Sequence, residues 1–347
     1  MVASVVIATR NRSALLCRTL DALAGQRWPR ERMDVIVADN GSTDETRAVV
    51  DAARAGGLPV RYLFVAQPGK SHAVNAALSL THGDLIAFTD DDVQPDPGWL
   101  EGLARAVTET DADFVAGRIL PIWEIEPPAW MSPSLYGVLA VPDNGVTRLP
   151  IAKDEPSQVM PIGANMAVRA SVIARVGGLR TDLGKLEGSL RTGEDHEFFL
   201  RLLHAGCRGT YEPSALVRHL VPASRLHPGY FRRWLFQNGG DVARLERAYA
   251  MPVAFLLGVP RYLWRQLLSD ISSTLRAALS GNGARRFAAA LRVIWFAGYL
   301  RASWFGDAAA TVPACELAES AVESAVESTI ESTIRNPQSA MLTYEGR

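Results

Sequence analysis

The chain has 347 residues, 48% of them hydrophobic and 21% charged, with 36 Lys+Arg against 37 Asp+Glu and a formal net charge of -1. That composition fits one large globular domain with an appendage, or two domains. A balance so near zero excludes a general nucleic-acid binder, which needs a standing excess of cations for counterion release.

The first half alternates short β-branched runs with amphipathic stretches, the pattern of βαβ units around a mainly parallel sheet. Strands are expected at Ala3–Thr9, Asp34–Asn40, Val60–Val65, Asp84–Thr89 and Asp113–Ala116. Helices are expected at Ser13–Ala24, Asp44–Ala55, Ser71–Leu80 and Pro97–Thr108, the second capped by Ser42-Thr43-Asp44-Glu45. From Leu120 to Ser157 the sequence is rich in Pro and Trp and predicts a long connecting loop over the sheet. A strand at Val159–Val168, a helix at Ala170–Val176, a glycine-rich loop to Gly193 and a helix at Asp195–His204 follow.

Beyond His219 the chain becomes helical, aromatic and basic: Arg218 to Arg301 holds thirteen Arg against three acids, Asp241, Glu246 and Asp270. The stretch 317–334 repeats Glu-Ser followed by Ala-Val or Thr-Ile, which suits a low-complexity acidic tail better than a marginal helix. The domain reading is therefore 1–225 for the α/β part, 226–305 for the basic helices and 306–347 for an acidic tail. Cys17, Cys207 and Cys315 lack CxxC or Cys/His spacing, so neither a disulfide framework nor a structural zinc is expected. The N-terminus has no basic region before its short apolar run, and Met251–Pro260 and Val293–Leu300 fall short of the roughly 20 apolar residues of a spanning helix. A cytoplasmic chain is expected, with apolar segments long enough for a core or a membrane interface.

The sharpest chemical feature is Asp90-Asp91-Asp92, directly after an apolar strand and so in the crevice where open α/β sheets bind ligands. Three adjacent acids need a counter-charge. Asp90 and Asp92, on one face of an extended chain, can address one ion and one neighbouring hydroxyl, and oxygen-only ligation points to Mg2+ or Mn2+; a solvated acidic turn is the alternative. Asp39 ends another strand before Asn40-Gly41-Ser42, where it can accept from a base or ribose or simply belong to a turn. Gln67-Pro68-Gly69-Lys70-Ser71 lacks the glycine of a P-loop at Phe64, yet Lys70 and Asn75 can face a nucleotide. Gly193-Glu194-Asp195 opens a helix, where the acids can cap it or one can serve as a base. His219, expected to follow a short strand and beside Arg218, is either structural or a partner for a metal or a diphosphate.

In order and spacing these residues resemble the inverting family 2 glycosyltransferases of GT-A fold: Thr9-Arg10-Asn11-Arg12, Asp39 to Asp44, Gly69 to Asn75, Asp90-Asp91-Asp92, Gly163-Ala164-Asn165-Met166, Gly193-Glu194-Asp195 and Arg218-His219. The resemblance covers residues 1 to about 220. It implies a GT-A nucleotide-binding domain with a mainly parallel mixed sheet, followed by a helical C-terminal region. It also implies transfer of a sugar from a nucleotide-diphosphate sugar to an acceptor hydroxyl with inversion, in polysaccharide, glycolipid or other glycoconjugate synthesis. Thr9, Asn11, Arg12, Asp39, Lys70, Asn75, Asp90, Asp91, Asn165 and Glu194 would then bind the donor. Asp92, with His219, would hold Mg2+ or Mn2+, and Asp195 would be the catalytic base. Where the family commonly has Pro-Thr-Tyr-Asn-Arg, this chain has Ala8-Thr9-Arg10-Asn11-Arg12, so Arg10 offers a guanidinium plane in place of the aromatic ring. UDP is the first choice of carrier, with GDP and dTDP as alternatives. The acceptor is expected to be a glycan or lipid-linked saccharide, and the basic aromatic helices suit an anionic membrane surface at the inner face of the cell membrane. Rival readings are a sugar-nucleotide nucleotidyltransferase, whose glycine-rich loop after the first strand is missing here, and a non-catalytic membrane-surface adaptor.

Overall fold

A computed structural model of the chain describes residues 1–153, 159–184, 193–249, 254–279 and 283–306. The acidic tail with its repeat, Cys315, the second half of the glycine-rich stretch before Gly193 and the start of the apolar run at Met251 lie outside the described residues.

Contacts divide the chain into two units, the first holding residues 1–122, 140–153, 159–184 and 194–220. Its opening half is β1 (Ala3–Thr9), α1 (Ser13–Ala24), β2 (Met33–Asp39), α2 (Thr46–Ala55), β3 (Val60–Phe64), α3 (Lys70–Leu78) and β4 (Leu85–Asp90). β1 and β2 are apolar on both faces and almost wholly buried, as central parallel strands covered by helices must be. Then follow β5 (Val93–Pro95), α4 (Trp99–Thr110), β6 (Phe114–Trp123), β7 (Leu149–Ile151), β8 (Asn165–Arg169), α5 (Ala170–Val176), α6 (Glu194–His204) and β9 (Gly209–Val221).

Sheet order is β3-β2-β1-β4-β8-β6-β9-β5, with β7 also on β9. β3-β2-β1-β4 are mutually parallel, and β8 meets β4 antiparallel. The sheet is thus mixed, its parallel part supplied by the first 90 residues. Its core packs Val6, Ile36, Ile86 and Phe88 against Val74, Phe198, Phe199 and Leu202 from α3 and α6.

Three expectations are corrected. The segment from Leu120 does not leave the sheet at once, because β6 continues to Trp123, and β7 lies further along. The strand expected from Val159 begins only at Asn165; Pro161 and Gly163 precede it, and proline lacks a ladder donor. His219 does not follow a short strand but lies inside the 13-residue β9, paired with Val93.

The second unit contains residues 123–139 and the described chain from 221 onward. Its elements are α7 (Pro228–Ala248), the two-stranded β10 (Phe255–Leu256) and β11 (Val259–Pro260), α8 (Arg261–Leu279) and α9 (Gly283–Phe305). The Pro- and Trp-rich segment joins these helices, where Trp130 packs edge-on against Phe231 and Phe287 at centroid distances of 5.2 and 4.8 Å. α7 and α9 cross at glycines: a Cβ on Gly239 would strike the Trp295 carbonyl, and one on Gly298 the Phe236 carbonyl. Val242, Leu263, Phe296 and Tyr299 fill the core beside this crossing. No helix among the described residues is long and apolar enough to cross a membrane.

Candidate active site

Parallel register builds the site. Thr9 pairs with Asp39, and Ala8 with both Ala38 and Asp90, so the C-terminal ends of β2, β1 and β4 present their polar residues in one row. The chain turns sharply after each strand. Asn11 adopts φ 52°, where Asn is better tolerated than most residues. Its side-chain oxygen accepts from Thr43 N at 2.7 Å while its own N–H donates to Ser42 Oγ at 2.8 Å. Asp44 stitches the same turns by accepting from Ser13 N and Thr46 Oγ1, and these bonds, Thr46 first, pull its carboxyl down to about 2.

Asp39 is buried at the end of β2. Oδ1 accepts from Ser42 N at 2.8 Å and Oδ2 from Tyr62 Oη at 2.7 Å. Burial first, then the adjacent carboxylate, push the Tyr62 hydroxyl up to about 12, so it remains a donor. Asn40 next door shapes the loop before α3, donating to the Val65 and Gln67 carbonyls and accepting from Gly69 N.

The three aspartates diverge in role. Asp91 is 3% exposed and ties β4 back to β1, accepting from Thr9 Oγ1 at 2.8 Å and from Arg12 Nη1 at 2.5 Å. Burial pushes its carboxyl up to about 7 against the pull of Arg12. Arg12 Nη2 reaches Asp92 Oδ2 at 2.7 Å, so one planar guanidinium bridges two neighbouring carboxylates. Asp90 is only half-buried and pairs with Lys70 Nζ at 2.8 Å. Burial alone would lower the Lys70 ammonium, but Asp90, Asp195 and Glu194 hold it above its ordinary range. The counter-charge that three adjacent acids require therefore comes in part from the chain's own Arg12 and Lys70.

Asp92 has one oxygen turned to His219, 3.3 Å from Nε2. The pairing of Val93 with His219, together with the Leu220 N–H bond to the Asp92 carbonyl, fixes this contact. His219 Nδ1 lies 3.3 Å from the Ala140 carbonyl. A carboxylate oxygen and an imidazole nitrogen thus converge, and the carboxylate is a ligand type suited to Mn2+ or Mg2+. Among the described residues no group of three or more His, Cys, Asp or Glu converges for a metal.

Asp195 stands in the first turn of α6, its Oδ2 accepting from Gly163 N at 3.0 Å. Gly163 admits this approach because a Cβ there would lie 2.8 Å from Asp195 Oδ1. Gly193, two residues earlier, has φ 114°, a conformation that favours glycine. Buried Glu194 also opens α6.

Register and local bonds thus bring Thr9, Arg12, Asp91, Asp92 and His219 into one linked cluster, and Lys70 into the company of Asp90, Glu194 and Asp195. They do not bring in Asn75 or Asn165. Asn75 uses both amide atoms on the Leu179 backbone. Asn165, 1% exposed, accepts from Trp99 Nε1 and donates to the Arg118 and Ala215 carbonyls. Both are braces. Tyr62 escaped sequence reasoning, although its place two residues before Asp39's register partner, Phe64, puts it on the same face of the sheet.

The parallel sheet thus turns antiparallel beside a carboxylate-bearing strand end, with a further acid at a helix start. Residues 4–177 match the family described as Glycosyl transferase family 2, and the chain belongs to that family. It is 30% identical over 302 residues to the pre-mycofactocin glycosyltransferase of Mycobacterium tuberculosis (strain ATCC 25618 / H37Rv), covering 83% of this chain and 58% of that protein. The chain therefore spans rather more than half the length of that relative. It is 28% identical to the succinoglycan biosynthesis protein ExoM of Rhizobium meliloti (strain 1021), covering 82% of this chain and 87% of ExoM. Among solved structures, the mannosyltransferase PcManGT from Pyrobaculum calidifontis, in complex with GDP-Man and Mn2+, superposes with a TM-score of 0.61 at 19% identity, covering 87% of each chain. S. aureus TarS 1-349 with UDP-GlcNAc gives 0.51 at 16% identity, covering 85% of this chain and 90% of that one. These two likenesses establish the shared fold.

Proposed function

We propose that the protein transfers a sugar from a nucleotide-diphosphate sugar to an acceptor hydroxyl with inversion. The observation that carries this reading is a pair of carboxylate stations, Asp90–Asp92 at a strand end, where Asp90 pairs with Lys70 Nζ at 2.8 Å, and Asp195 at a helix start, whose charge also helps to hold the Lys70 ammonium above its ordinary range. The β1 and β2 ends, with Thr9, Asn11, Arg12 and Asp39, hold the nucleoside. Asp92 and His219 would hold Mn2+ or Mg2+, which when bound supplies charge neutralisation to the leaving diphosphate. Asp195, steadied by Gly163 N–H, takes the proton of the acceptor hydroxyl. As that oxygen bonds to the anomeric carbon from the face opposite the diphosphate, the carbon–oxygen bond to the diphosphate breaks, and the configuration inverts.

Relatives named as a pre-mycofactocin glycosyltransferase and a succinoglycan biosynthesis protein support a glycan or glycoconjugate acceptor. A lipid-linked saccharide fits the basic helices, which support peripheral attachment at the inner membrane face. UDP is the first carrier to test, although a GDP-sugar occupies the PcManGT neighbour.

The test is a thermal-shift panel of UDP-, GDP-, dTDP-, ADP- and CDP-sugars with and without Mn2+, since selective stabilisation reports binding by mass action. One carrier should stabilise the protein, and EDTA should remove the effect. Asp195→Asn should keep that shift yet lose transfer by roughly 100-fold or more. Transfer near the parent rate would take the base role from Asp195, and indifference to chelation would take the metal from Asp92.

A further inference from the structure

Residues 221–306 contain twelve arginines, no lysine and three acids. All three acids are buried: Asp241 at 4%, Glu246 at 3% and Asp270 at 5% exposure. Arg244 holds Asp241 and Arg292 holds Asp270. No described acid from 221 to 306 reaches the surface, while Arg261, Arg265, Arg276 and Arg301 are exposed.

The same unit exposes an apolar knob. β10 and β11 are joined by Leu257-Gly258, with φ 53° and 73°, a two-residue turn that favours Asn-Gly. Here a leucine takes the left-handed conformation, which costs a non-glycine residue of order 1 kcal/mol or more, and does so with 67% of its surface in water. Phe255 and Leu256 are also about half exposed, as is Trp304. The knob is held firmly: Trp264 Nε1 donates to the Leu256 carbonyl at 3.0 Å and Trp304 Nε1 to the Leu257 carbonyl at 2.8 Å. From Trp264, positions 268, 271, 275 and 279 continue along one face of α8, and Leu268, Ile271, Leu275 and Leu279 are all exposed there. Arg261, Arg265 and Arg276 border that stripe.

We propose that this knob and stripe form a membrane-insertion element, in which Phe255, Leu256 and Leu257 enter the headgroup–acyl boundary of an anionic leaflet while the neighbouring arginines engage lipid phosphates. An anionic leaflet offers apolar and negatively charged partners together. A second copy of this chain would instead bring the same positive surface against itself, which like-charge repulsion opposes. The proposal rests on the peripheral attachment put forward above and assigns it to particular residues.

Flotation of the full chain with phosphatidylcholine vesicles, with and without phosphatidylglycerol, tests it. The parent should float only with phosphatidylglycerol present, and added salt should release it. Leu257→Asn suits the turn and should keep or raise thermal stability. Loss of one buried leucine should nevertheless weaken partition roughly tenfold. Arg261→Gln with Arg265→Gln should each cost roughly fivefold on anionic vesicles. If Leu257→Asn floats as well as the parent, attachment survives but the knob is refuted. If the parent does not float at all, both fall. A parent dimer in light scattering that Leu257→Asn converts to monomer would reassign the knob to self-association and overturn the proposal.

Discussion

At the scale of single residues, Arg12 holds the site together. Its guanidinium spans Asp91 and Asp92, and a lysine could offer only a point charge to one of them. Removing one partner of a buried ion pair costs about 3–5 kcal/mol, because the other is left uncompensated. The lower end applies here, since the Arg12 side chain is 35% exposed. Arg12→Ala should therefore lower unfolding free energy by about 3 kcal/mol at pH 8 in urea titrations. The deficit should shrink below pH 6, where Asp91, already pushed up to about 7, carries a proton. An equal deficit at both pH values would show that the lost charge is not what matters.

These residues were legible in the sequence to different degrees. Asp39, Asp90–Asp92 and Asp195 stand out because acids at the ends of apolar strands or at the start of a helix interrupt a pattern. Their partners do not. Arg12 is 79 and 80 positions from the carboxylates it binds, a proximity fixed by pairing β1 beside β4 rather than by anything local. Asn75 and Asn165 are ambiguous for the converse reason: an amide in a motif looks the same whether it meets a ligand or, as in this structure, the backbone and a tryptophan.

At the scale of elements, the α7–α9 crossing depends on missing side chains. Gly298→Ala would drive a methyl into the Phe236 carbonyl, a backbone atom that cannot swing aside. Overpacking of this kind typically costs about 1–3 kcal/mol, and the upper end is expected where backbone meets backbone. Gly283→Ala, with nothing within 4 Å of its new Cβ, is the control and should leave the thermal midpoint unchanged. Loss of stability in both variants would point to helix-wide effects instead of the crossing.

Local periodicity carried elements of the parallel half, where β1 and α1 fall where the sequence puts them, and also the later helix α5. The antiparallel strands were harder to see. β9 runs unbroken through Glu212-Pro213, which a strand pattern does not anticipate, and β7 is too short for alternation to register. These strands are held by neighbours distant in sequence, such as Tyr211 opposite Leu149.

At the scale of the whole molecule, buried acids make stability depend on pH. Burial pushes Glu246 from 4.5 up to about 7, despite hydrogen bonds from Tyr299 and Tyr262. The folded chain thus keeps a proton that the unfolded chain has already released between those values. Stability is lost as pH rises from about 4.5 through 7, by at most about 3 kcal/mol. Glu246→Gln should flatten this segment of the profile and be the more stable form above pH 7, as urea midpoints across the range would report. A variant that follows the parent's slope would assign the dependence to other groups.

The arginine-only surface has a further consequence. The chain's three lysines are Lys70, Lys153 and Lys185, none of them in the helices after residue 221. Enzymes that acetylate amines to retune cationic surfaces have no substrate there, and guanidinium keeps its proton throughout the physiological range. The arginine charge of this stretch therefore does not change with acetylation or with physiological pH. Under the membrane attachment proposed above, control would then rest with the other party: the phospholipid make-up of the leaflet and the ionic strength beside it.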